Sequence, residues 1–252
     1  MRVAVVGYGR MGHLIRQVAL GGGHSIVAIV DPYATDSEVT SKVLTKDALA
    51  DAEVVIDFSV AELAVDHIQL YAKLALPAVI GTTGWYPHLP AVQEAMKATD
   101  CAIIWSGNFS LGVHLFFALA RKAAALMNNF PQYDTLVHEM HHAGKADSPS
   151  GTAVMLGNIL LEELEAKNQL ETGRLDRKRA DSEIHVSSTR GGFIPGTHTL
   201  LFDSPVDTIE ITHRARNREG FAYGAVQAAA WITSGRRGFF SLDDMLTDLI
   251  PR

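Results

Sequence analysis

Cysteine is almost absent from this 252-residue chain, in which Cys101 is the only one. A single cysteine excludes an internal disulfide framework and a zinc site held by several thiolates, and it favours a reducing compartment. The chain also lacks an excess of basic residues, since its formal net charge is -6 and its pI is about 6.0. We therefore expect a cytoplasmic protein that has no nucleic acid as a partner.

Long hydrophobic runs are missing as well. No run approaches the roughly 18 apolar residues of a membrane helix, and the opening M-R-V-A-V-V-G does not have the features of a signal peptide. We expect neither a membrane partner nor a secretory leader. Hydrophobic residues still make up 47% of the chain, which is enough to bury the core of one large domain or two modest ones.

Short apolar runs alternate with helical patterns over the first hundred residues. This alternation is typical of a parallel sheet covered by helices on both faces, and it predicts a Rossmann-like, doubly wound α/β domain. The apolar runs are 3–6, 26–30, 54–58, 78–80 and 102–105, and the helical patterns are 11–19, 61–74 and 87–99.

The pattern changes after residue 108. We predict a smaller α+β domain with helices and a meander of strands in a mostly antiparallel or mixed sheet. Its helices are expected at 111–127 and 152–167, and its strands at 133–142, 184–188, 197–202 and 208–213. Two last helical patterns, 223–233 and 242–249, could close either domain.

A glycine-rich loop follows the first predicted strand directly and opens a helix. It reads Gly7-Tyr8-Gly9-Arg10-Met11-Gly12, and Asp31 ends the second strand. In this setting the loop predicts a dinucleotide site, because the glycines allow close approach of the pyrophosphate and the helix N-terminus favours its charge. Asp31 would bind the adenosine ribose and repel a 2′-phosphate, which favours NADH, although Lys42 or Arg10 leaves NADPH open.

Two further loops follow predicted strands at the edge of the sheet where such domains bind ligands. They are Gly81-Thr82-Thr83-Gly84 and Ser106-Gly107-Asn108-Phe109. Small and hydroxyl residues let backbone amides approach a ribose or a nicotinamide, and Asn108 can pair with a carboxamide. The alternative is that both loops are ordinary turns.

The stretch His138-Glu-Met-His-His142 contains H-E-x-x-H, a pattern of zinc hydrolases. In those enzymes the motif lies on a helix, whereas the preceding residues here alternate as in a strand. On a strand the two histidines would lie about 13 Å apart, at roughly 3.3 Å per residue, which is too far for one zinc ion. We therefore expect no metal, and a zinc peptidase is a remote alternative.

The residues that follow favour an anion site. Ser150, Gly151 and Thr152 open a predicted helix and supply amides and hydroxyls at its positive end. His141, His142 and Lys145 lie just before them, and such side chains stabilise negative charge and transfer protons near neutral pH. A solvated polar loop with a core histidine is the alternative interpretation.

The stretch E-M-H-H-A-G-K-A-D-S-P-S-G-T-A resembles the signature of the 4-hydroxy-tetrahydrodipicolinate (dihydrodipicolinate) reductase family. Further blocks are similar to that family in the same order along nearly the whole chain. These blocks are V-G-Y-G-R-M-G at 6–12, G-T-T-G-W at 81–85, N-F-S-L-G-V at 108–113, R-G-G-F-I-P-G-T-H-T at 190–199 and I-T-H-R-A-R-N-R-E-G-F-A-Y-G-A-V at 211–226. The glycine loop is shorter than in some members, and no arginine follows Asp31, so the choice of cofactor stays open.

The resemblance implies an NADH- or NADPH-dependent reduction of a cyclic, doubly carboxylated imine-type substrate on the diaminopimelate route to lysine. It implies that His141 acts as acid/base, that Lys145 is the proton donor, and that His142, Ser150, Gly151 and Thr152 contact substrate carboxylates. It also implies a dinucleotide-binding domain of 1–108 and 217–252, and a substrate-binding domain of 109–216 that builds a homotetramer through its sheet. The implied cofactor contacts are Gly7, Tyr8, Gly9, Arg10, Met11, Gly12, Asp31, Gly81, Thr82, Thr83, Ser106, Gly107, Asn108 and Phe109, with Arg218 as a further candidate.

Two other functions agree with the same sequence features. One is a different two-domain dehydrogenase, which would act on an amino acid or a sugar. The other is a non-catalytic NAD(H) sensor, although a sensor has no need for His141, Lys145 and an anion site together.

Overall fold

The computed structural model describes residues 1–249, which form two compact units. Unit 1 contains Met1–Ser110 and the segment from Arg218 onward, and unit 2 contains Leu111–Asn217. The chain thus returns to unit 1 after unit 2, so both C-terminal helical patterns belong to unit 1. Within the described residues, no helix has the length and apolar character needed to cross a membrane.

Unit 1 contains a six-stranded parallel sheet, as the alternation of apolar runs predicts. Its strands are β1 (Arg2–Val6), β2 (Ser25–Val30), β3 (Val54–Asp57), β4 (Ala78–Ile80), β5 (Ala102–Trp105) and β11 (Gly238–Ser241). They lie in the order β11-β5-β4-β3-β1-β2, and every neighbouring pair is parallel. The strand β11 was not predicted, because its four residues lie between two strong helical patterns and only their pairing with β5 makes them a strand.

Helices cover this sheet and supply the rest of the core. They are α1 (Arg10–Gly21), α2 (Ala61–Leu74), α3 (Leu89–Met96), α6 (Glu219–Ile232) and α7 (Leu242–Leu249). The predicted helix 87–99 is wrong at both ends, because a 3-10 turn at Tyr86–His88 precedes α3 and Lys97 caps it. The small buried residues of α6, such as Gly224 and Ala228, let it pack closely against α1 and the centre of the sheet.

Unit 2 contains a mixed five-stranded sheet. Its strands are β6 (Asp134–His141), β7 (Gln169–Glu171), β8 (Glu183–Arg190), β9 (Thr197–Asp203) and β10 (Thr208–Arg214), in the order β10-β9-β6-β8-β7. The predicted mixed sheet is confirmed, and β9 and β10 are antiparallel neighbours, as a meander predicts. The meander does not extend to β8, because β6 lies between β8 and β9, parallel to the former and antiparallel to the latter. A parallel pair needs a long crossover, and the helix between β6 and β8 provides it.

The helices of unit 2 are α4 (Leu111–Met127) and α5 (Gly151–Glu163). Their apolar faces form one core with the sheet, in which Leu156, Val186 and Phe202 are fully buried. Truncating such a phenylalanine to alanine costs roughly 3–5 kcal/mol. The predicted helix 152–167 continues too far, because Leu164 takes an extended conformation and Lys167 binds Asp134 and the carbonyl of Asp181.

Candidate active site

The glycine loop after β1 is closely packed. Gly7 has a φ of +85°, and a Cβ there would lie 2.4 Å from the carbonyl oxygen of Phe58. A Cβ on Gly12 would lie 2.3 Å from the carbonyl oxygen of Gly7. Gly9, which caps α1, has nothing within 4 Å of the same position. Two of the glycines therefore hold the loop against its neighbours, while Gly9 leaves open backbone at a helix N-terminus, where phosphate is favoured.

Asp31 follows β2, and its carboxylate is held by backbone amides. Oδ2 accepts the N–H of Tyr8 at 2.6 Å, and Oδ1 accepts those of Tyr33 at 2.7 Å and Ala34 at 2.8 Å. Burial raises the pKa of Asp31, but these hydrogen bonds outweigh burial and lower it below its usual value. The group is thus a fixed negative charge at neutral pH.

A cavity of about 590 Å³ lies at the carboxyl ends of β1, β2 and β3. Gly7, Gly9 and Asp31 line it, as the sequence predicts for a dinucleotide site. The loop after β3, which contributes Phe58, Ser59 and Val60, was not predicted to line this site. The signal was present, because the run 54–58 was identified as a strand and its end faces the same edge of the sheet.

Gly81 follows β4 and lies directly against an aromatic ring. A Cβ at this position would come within 2.1 Å of the ring of Phe58, so no other residue fits there without displacing that ring. Thr82 is buried and its carbonyl accepts the indole N–H of Trp85 at 2.9 Å, while Thr83 is exposed. In this loop the accessible groups are backbone and the side chain of Thr83.

The loop after β5 is held by its own side chains. The hydroxyl of Ser106 donates to the carbonyl of Asn108 at 2.8 Å, and Oδ1 of Asn108 accepts the N–H of Ser110 at 2.8 Å. Phe109 is buried, with its ring 5.9 Å from that of Phe58, and Gly107 is exposed. The buried ring of Phe109 therefore anchors the loop beside Phe58.

The remaining predicted cofactor residues differ in exposure. Tyr8 is buried and its hydroxyl donates to Glu38 at 2.5 Å, and burial together with this contact raises the pKa of Tyr8 to about 12. Arg10 is exposed at the start of α1, and Met11 beside it is half-buried. Arg218 is exposed immediately before α6.

In unit 2, the H-E-x-x-H stretch lies on β6 and not on a helix. Residues alternate between the two faces of the sheet, so Glu139 and His141 share the buried face. His138 lies on the other face, where its Nδ1 forms a 2.8 Å hydrogen bond with Ser187. Within residues 1–249, no group of three or more His, Cys, Asp or Glu side chains is arranged to hold a metal ion.

Glu139 is fully buried at the centre of a polar cluster. Its carboxylate accepts hydrogen bonds from Arg190 at 2.7 and 2.9 Å, from the N–H of Ser150 at 3.0 Å and from Nδ1 of His141 at 2.5 Å. Burial raises the pKa of Glu139, but the hydrogen bonds from Arg190 and His141 lower it to about 2. The carboxylate is therefore ionised, and a charged acceptor lies behind the imidazole of His141.

His198 on β9 lies edge-on to His141, with their ring centroids 5.2 Å apart. Burial, and then the electrostatic influence of His141, lower the pKa of His198 to about 4, and Lys145 contributes in the same direction. Nε2 of His198 forms a 3.1 Å hydrogen bond with the hydroxyl of Ser150. The imidazole of His198 is thus neutral at physiological pH and lies near both predicted catalytic groups.

The predicted anion site at the start of α5 has an internal cap. The hydroxyl of Ser150 accepts the N–H of Ala153 at 3.2 Å, and with its N–H bound to Glu139 this buried residue is fully engaged. Gly151 is exposed and Thr152 half-buried. Of the predicted anion contacts here, these last two are the accessible ones.

His142 and Lys145 lie on the loop between β6 and α5. The N–H of His142 donates to the carbonyl of Ile194 at 2.8 Å, and its side chain is half-buried. Nζ of Lys145 lies 2.7 Å from the exposed carboxylate of Asp147. This hydrogen bond with Lys145 lowers the pKa of Asp147. The unit thus brings an imidazole, an ammonium and a helix N-terminus into one region, which suits proton transfer to an anionic substrate.

Comparison with known proteins finds one family along nearly the whole chain. A family model described as the N-terminus of dihydrodipicolinate reductase matches residues 1–109, and the model of its C-terminus matches residues 112–246. The 4-hydroxy-tetrahydrodipicolinate reductase of Christiangramia forsetii is 39% identical and covers 99% of each chain. The enzyme of the same name from Archaeoglobus fulgidus is 37% identical over 98% of this chain and 100% of its own.

Solved structures have the same fold. A dipicolinate-bound dihydrodipicolinate reductase from Paenisporosarcina sp. TG-14 aligns with a TM-score of 0.78 at 23% identity, covering 96% of this chain and 97% of that one. A probable dehydrogenase from Thermotoga maritima aligns with a TM-score of 0.62 at 11% identity, covering 99% of this chain and 93% of that one. The two family models together span nearly the whole sequence, and the chain therefore belongs to the dihydrodipicolinate reductase family, whose members are pyridine nucleotide-dependent reductases.

Proposed function

We propose that this chain is an NAD(P)H-dependent oxidoreductase that reduces 4-hydroxy-tetrahydrodipicolinate to tetrahydrodipicolinate in lysine biosynthesis through diaminopimelate. The observation that carries the proposal is the convergence in unit 2 of His141, Lys145 and the N-terminus of α5. The ring of His141 lies 5.2 Å from that of the buried His198, whose Nε2 binds the residue that caps α5. Lys145 pairs with Asp147 on the loop that leads into this helix. A dinucleotide sensor would not need this arrangement.

In the proposed reaction, Lys145 donates the proton and His141 acts as acid/base. When bound, the reduced nicotinamide supplies a hydride. Hydride addition places negative charge on the substrate, and a nearby ammonium or imidazolium stabilises that charge before it transfers a proton. Lys145 pairs with Asp147, whose carboxylate is exposed. A substrate carboxylate can therefore replace Asp147 beside the ammonium, because the displaced carboxylate stays in contact with water.

For the substrate we propose a small cyclic dicarboxylate. The solved relative from Paenisporosarcina sp. TG-14 is described as binding dipicolinate, which has two carboxylates. We assign one carboxylate to the amides of Gly151 and Thr152 at the start of α5, and the other to His142. Ser150 takes part through the cap that it forms, since its polar groups have internal partners.

For the cofactor we propose NADH as the preferred donor and no metal ion. The carboxylate of Asp31 is ionised and lines the cavity, together with Asp66, and this negative charge opposes a 2′-phosphate. Lys42 also lines the cavity, where it donates to the carbonyl of Ala34. Because its ammonium can bind a 2′-phosphate, we propose that NADPH is used to a smaller extent. The other cofactor contacts proposed are residues 7–12, 81–83 and 106–109, with Arg218 as a further candidate.

We further propose a cytoplasmic homotetramer in which residues 109–216 bind the substrate and join the subunits through their sheet, while 1–108 and 217–252 bind the dinucleotide. In support, β10 is an edge strand in which every residue is exposed or half-buried, and its backbone is free to pair with another strand. Light scattering after size-exclusion chromatography tests the tetramer. A monomer at assay concentration would contradict it.

The test of the activity follows the absorbance of reduced nicotinamide in the presence of substrate made in situ by the preceding synthase. We expect oxidation of NADH that depends on both the synthase and its substrates, and slower oxidation of NADPH. Other oxo acids, amino acids and sugars are the controls. Oxidation with one of those compounds and none with the synthase product would instead favour a different dehydrogenase, and binding without any oxidation would favour a sensor.

A further inference from the structure

The buried carboxylate of Glu139 has no role in the mechanism above. It is fully buried on β6, and burying a charge is costly unless hydrogen bonds and an opposite charge compensate it. The compensation comes from Arg190, which donates through both terminal nitrogens at 2.7 and 2.9 Å, and from the N–H of Ser150 at 3.0 Å. Together with His141, these donors converge on two oxygens, so the position of the carboxylate is strongly determined.

The donor from His141 is Nδ1, at 2.5 Å. An ionised carboxylate can only accept, so the proton of this hydrogen bond lies on Nδ1. When the imidazole is neutral, its Nε2 is then the unprotonated nitrogen that can take up a proton. The contact therefore determines which of the two ring nitrogens can act as a base.

The surroundings of Nε2 agree with this division of roles. A Cβ at Gly196 would lie 2.9 Å from Nε2 of His141, closer than side chains tolerate. Gly196 has a φ of +156° and its carbonyl accepts the N–H of Ala215 at 2.9 Å, so its backbone is fixed beside the ring. Because Gly196 has no side chain, the space next to Nε2 stays open. Nδ1 needs no such space, because it already donates to Glu139.

We propose that Glu139, held in place by Arg190, is a positioning residue that fixes the ring orientation and the Nδ1–H tautomer of His141, and that Gly196 keeps Nε2 open for proton transfer. The role assigned to Nε2 rests on the proposed function. The alternative is that Glu139 and Arg190 only join β6 to β8, on which Arg190 is the register partner of His141. That alternative predicts a loss of stability and no change in the protonation of His141.

The first test uses the wild-type chain and nitrogen NMR of labelled imidazoles, with the His141 signals identified by their absence from His141→Gln. We expect Nδ1 to be protonated over the whole pH range in which the protein is folded, and Nε2 to be the nitrogen that titrates. An unprotonated Nδ1 in the folded protein would overturn the proposal, whether or not the chain reduces any substrate.

The second test compares Glu139→Gln with Asp134→Asn. Asp134 lies at the other end of β6 and pairs with Lys167 and Arg179, so its variant controls for the loss of a carboxylate that joins elements of this unit. We expect Glu139→Gln to lower kcat roughly 10²-fold or more and to leave the KM for NADH unchanged. We also expect Nε2 of His141 to carry the proton in a substantial fraction of this variant, whereas Asp134→Asn keeps the wild-type tautomer.

Two outcomes of the second test would contradict the proposal. One is an unchanged tautomer at His141 in folded Glu139→Gln. The other is a fall in kcat no larger than that of Asp134→Asn. Failure of the proposed function is a separate result, since it appears as a wild-type chain that does not oxidise NADH with the synthase product.

Discussion

Unit 1 and unit 2 build their candidate sites from different parts of the chain. Unit 1 relies on closely packed loops, with glycines at positions 7, 12 and 81 where a Cβ would meet neighbouring atoms. Unit 2 uses ionisable side chains that are buried and paired, with Glu139 and His198 at the centre. Closely packed glycine loops depend on shape, whereas a cluster of buried charges depends on which groups hold protons.

The largest expected difference between the two units comes from a variant that stops the reaction and leaves cofactor binding intact. Lys145→Ala removes the proposed proton donor in unit 2, and we expect kcat to fall roughly 10³-fold. Binding of NADH, measured by fluorescence titration, should stay within about twofold of the wild type, because Lys145 is not one of the residues that line the cavity of unit 1. An equal loss of NADH binding would show that Lys145 is a folding or nucleotide residue.

Lowering the pH should reduce the stability of the folded chain through His198 in unit 2. The pKa of His198 is about 4 in the folded chain and 6.5 in the absence of structure, so the unfolded chain takes up this proton first as the pH falls. The contribution is complete above about pH 6.5 and is lost toward pH 4, at a cost of about 3 kcal/mol in the free energy of unfolding. Urea unfolding of the wild type and of His198→Asn at several pH values measures it.

We expect the stability of His198→Asn to change less between about pH 7 and pH 4 than that of the wild type. Parallel curves would contradict the assignment. A second loss should appear at lower pH, since the pKa of Glu139 is about 2 when folded and 4.5 otherwise. Its contribution is present above about pH 4.5 and disappears as the pH falls toward 2.

A pair of glycine variants sharpens the description of unit 1. Gly12→Ala places a Cβ 2.3 Å from the carbonyl oxygen of Gly7, and we expect it to lower the free energy of unfolding by about 2 kcal/mol. Gly9→Ala meets nothing within 4 Å, so the stability should be unchanged while NADH binds about tenfold more weakly. If Gly9→Ala binds NADH normally, the pyrophosphate does not approach this residue.

The smallest expected effect concerns the choice of cofactor. Asp31→Asn removes a negative charge from the cavity, and we expect the ratio of kcat/KM for NADPH to that for NADH to rise about tenfold. Asp66→Asn is the matched control, because it removes another carboxylate from the lining of the same cavity. Equal shifts in both variants would mean that general charge, and not the position of Asp31, determines the preference.

The same contrast explains how much the sequence could predict. Unit 1 follows strand periodicity and glycine spacing, so its sheet and the Gly7–Gly12 loop were identified, while the short β11 and the loop after β3 were missed. In unit 2 the sequence predicted the positions of β6, β8, β9 and β10, but it did not predict β7 or the place of β6 between β8 and β9. Period-2 alternation does not say which strand lies beside which. Glu139 illustrates the limit, because nothing in the sequence indicated that Arg190 reaches this carboxylate from β8.

The most direct measurement of the central claim follows the hydride itself. NADH carrying deuterium at C4 of the nicotinamide is mixed with the chain and the product of the preceding synthase, and the reduced product is analysed by mass spectrometry. The account predicts transfer of one deuterium from the reactive face of the cofactor to each molecule of tetrahydrodipicolinate, and almost none with Lys145→Ala. A product without deuterium, or labelled NADH recovered unchanged with no product, would contradict it.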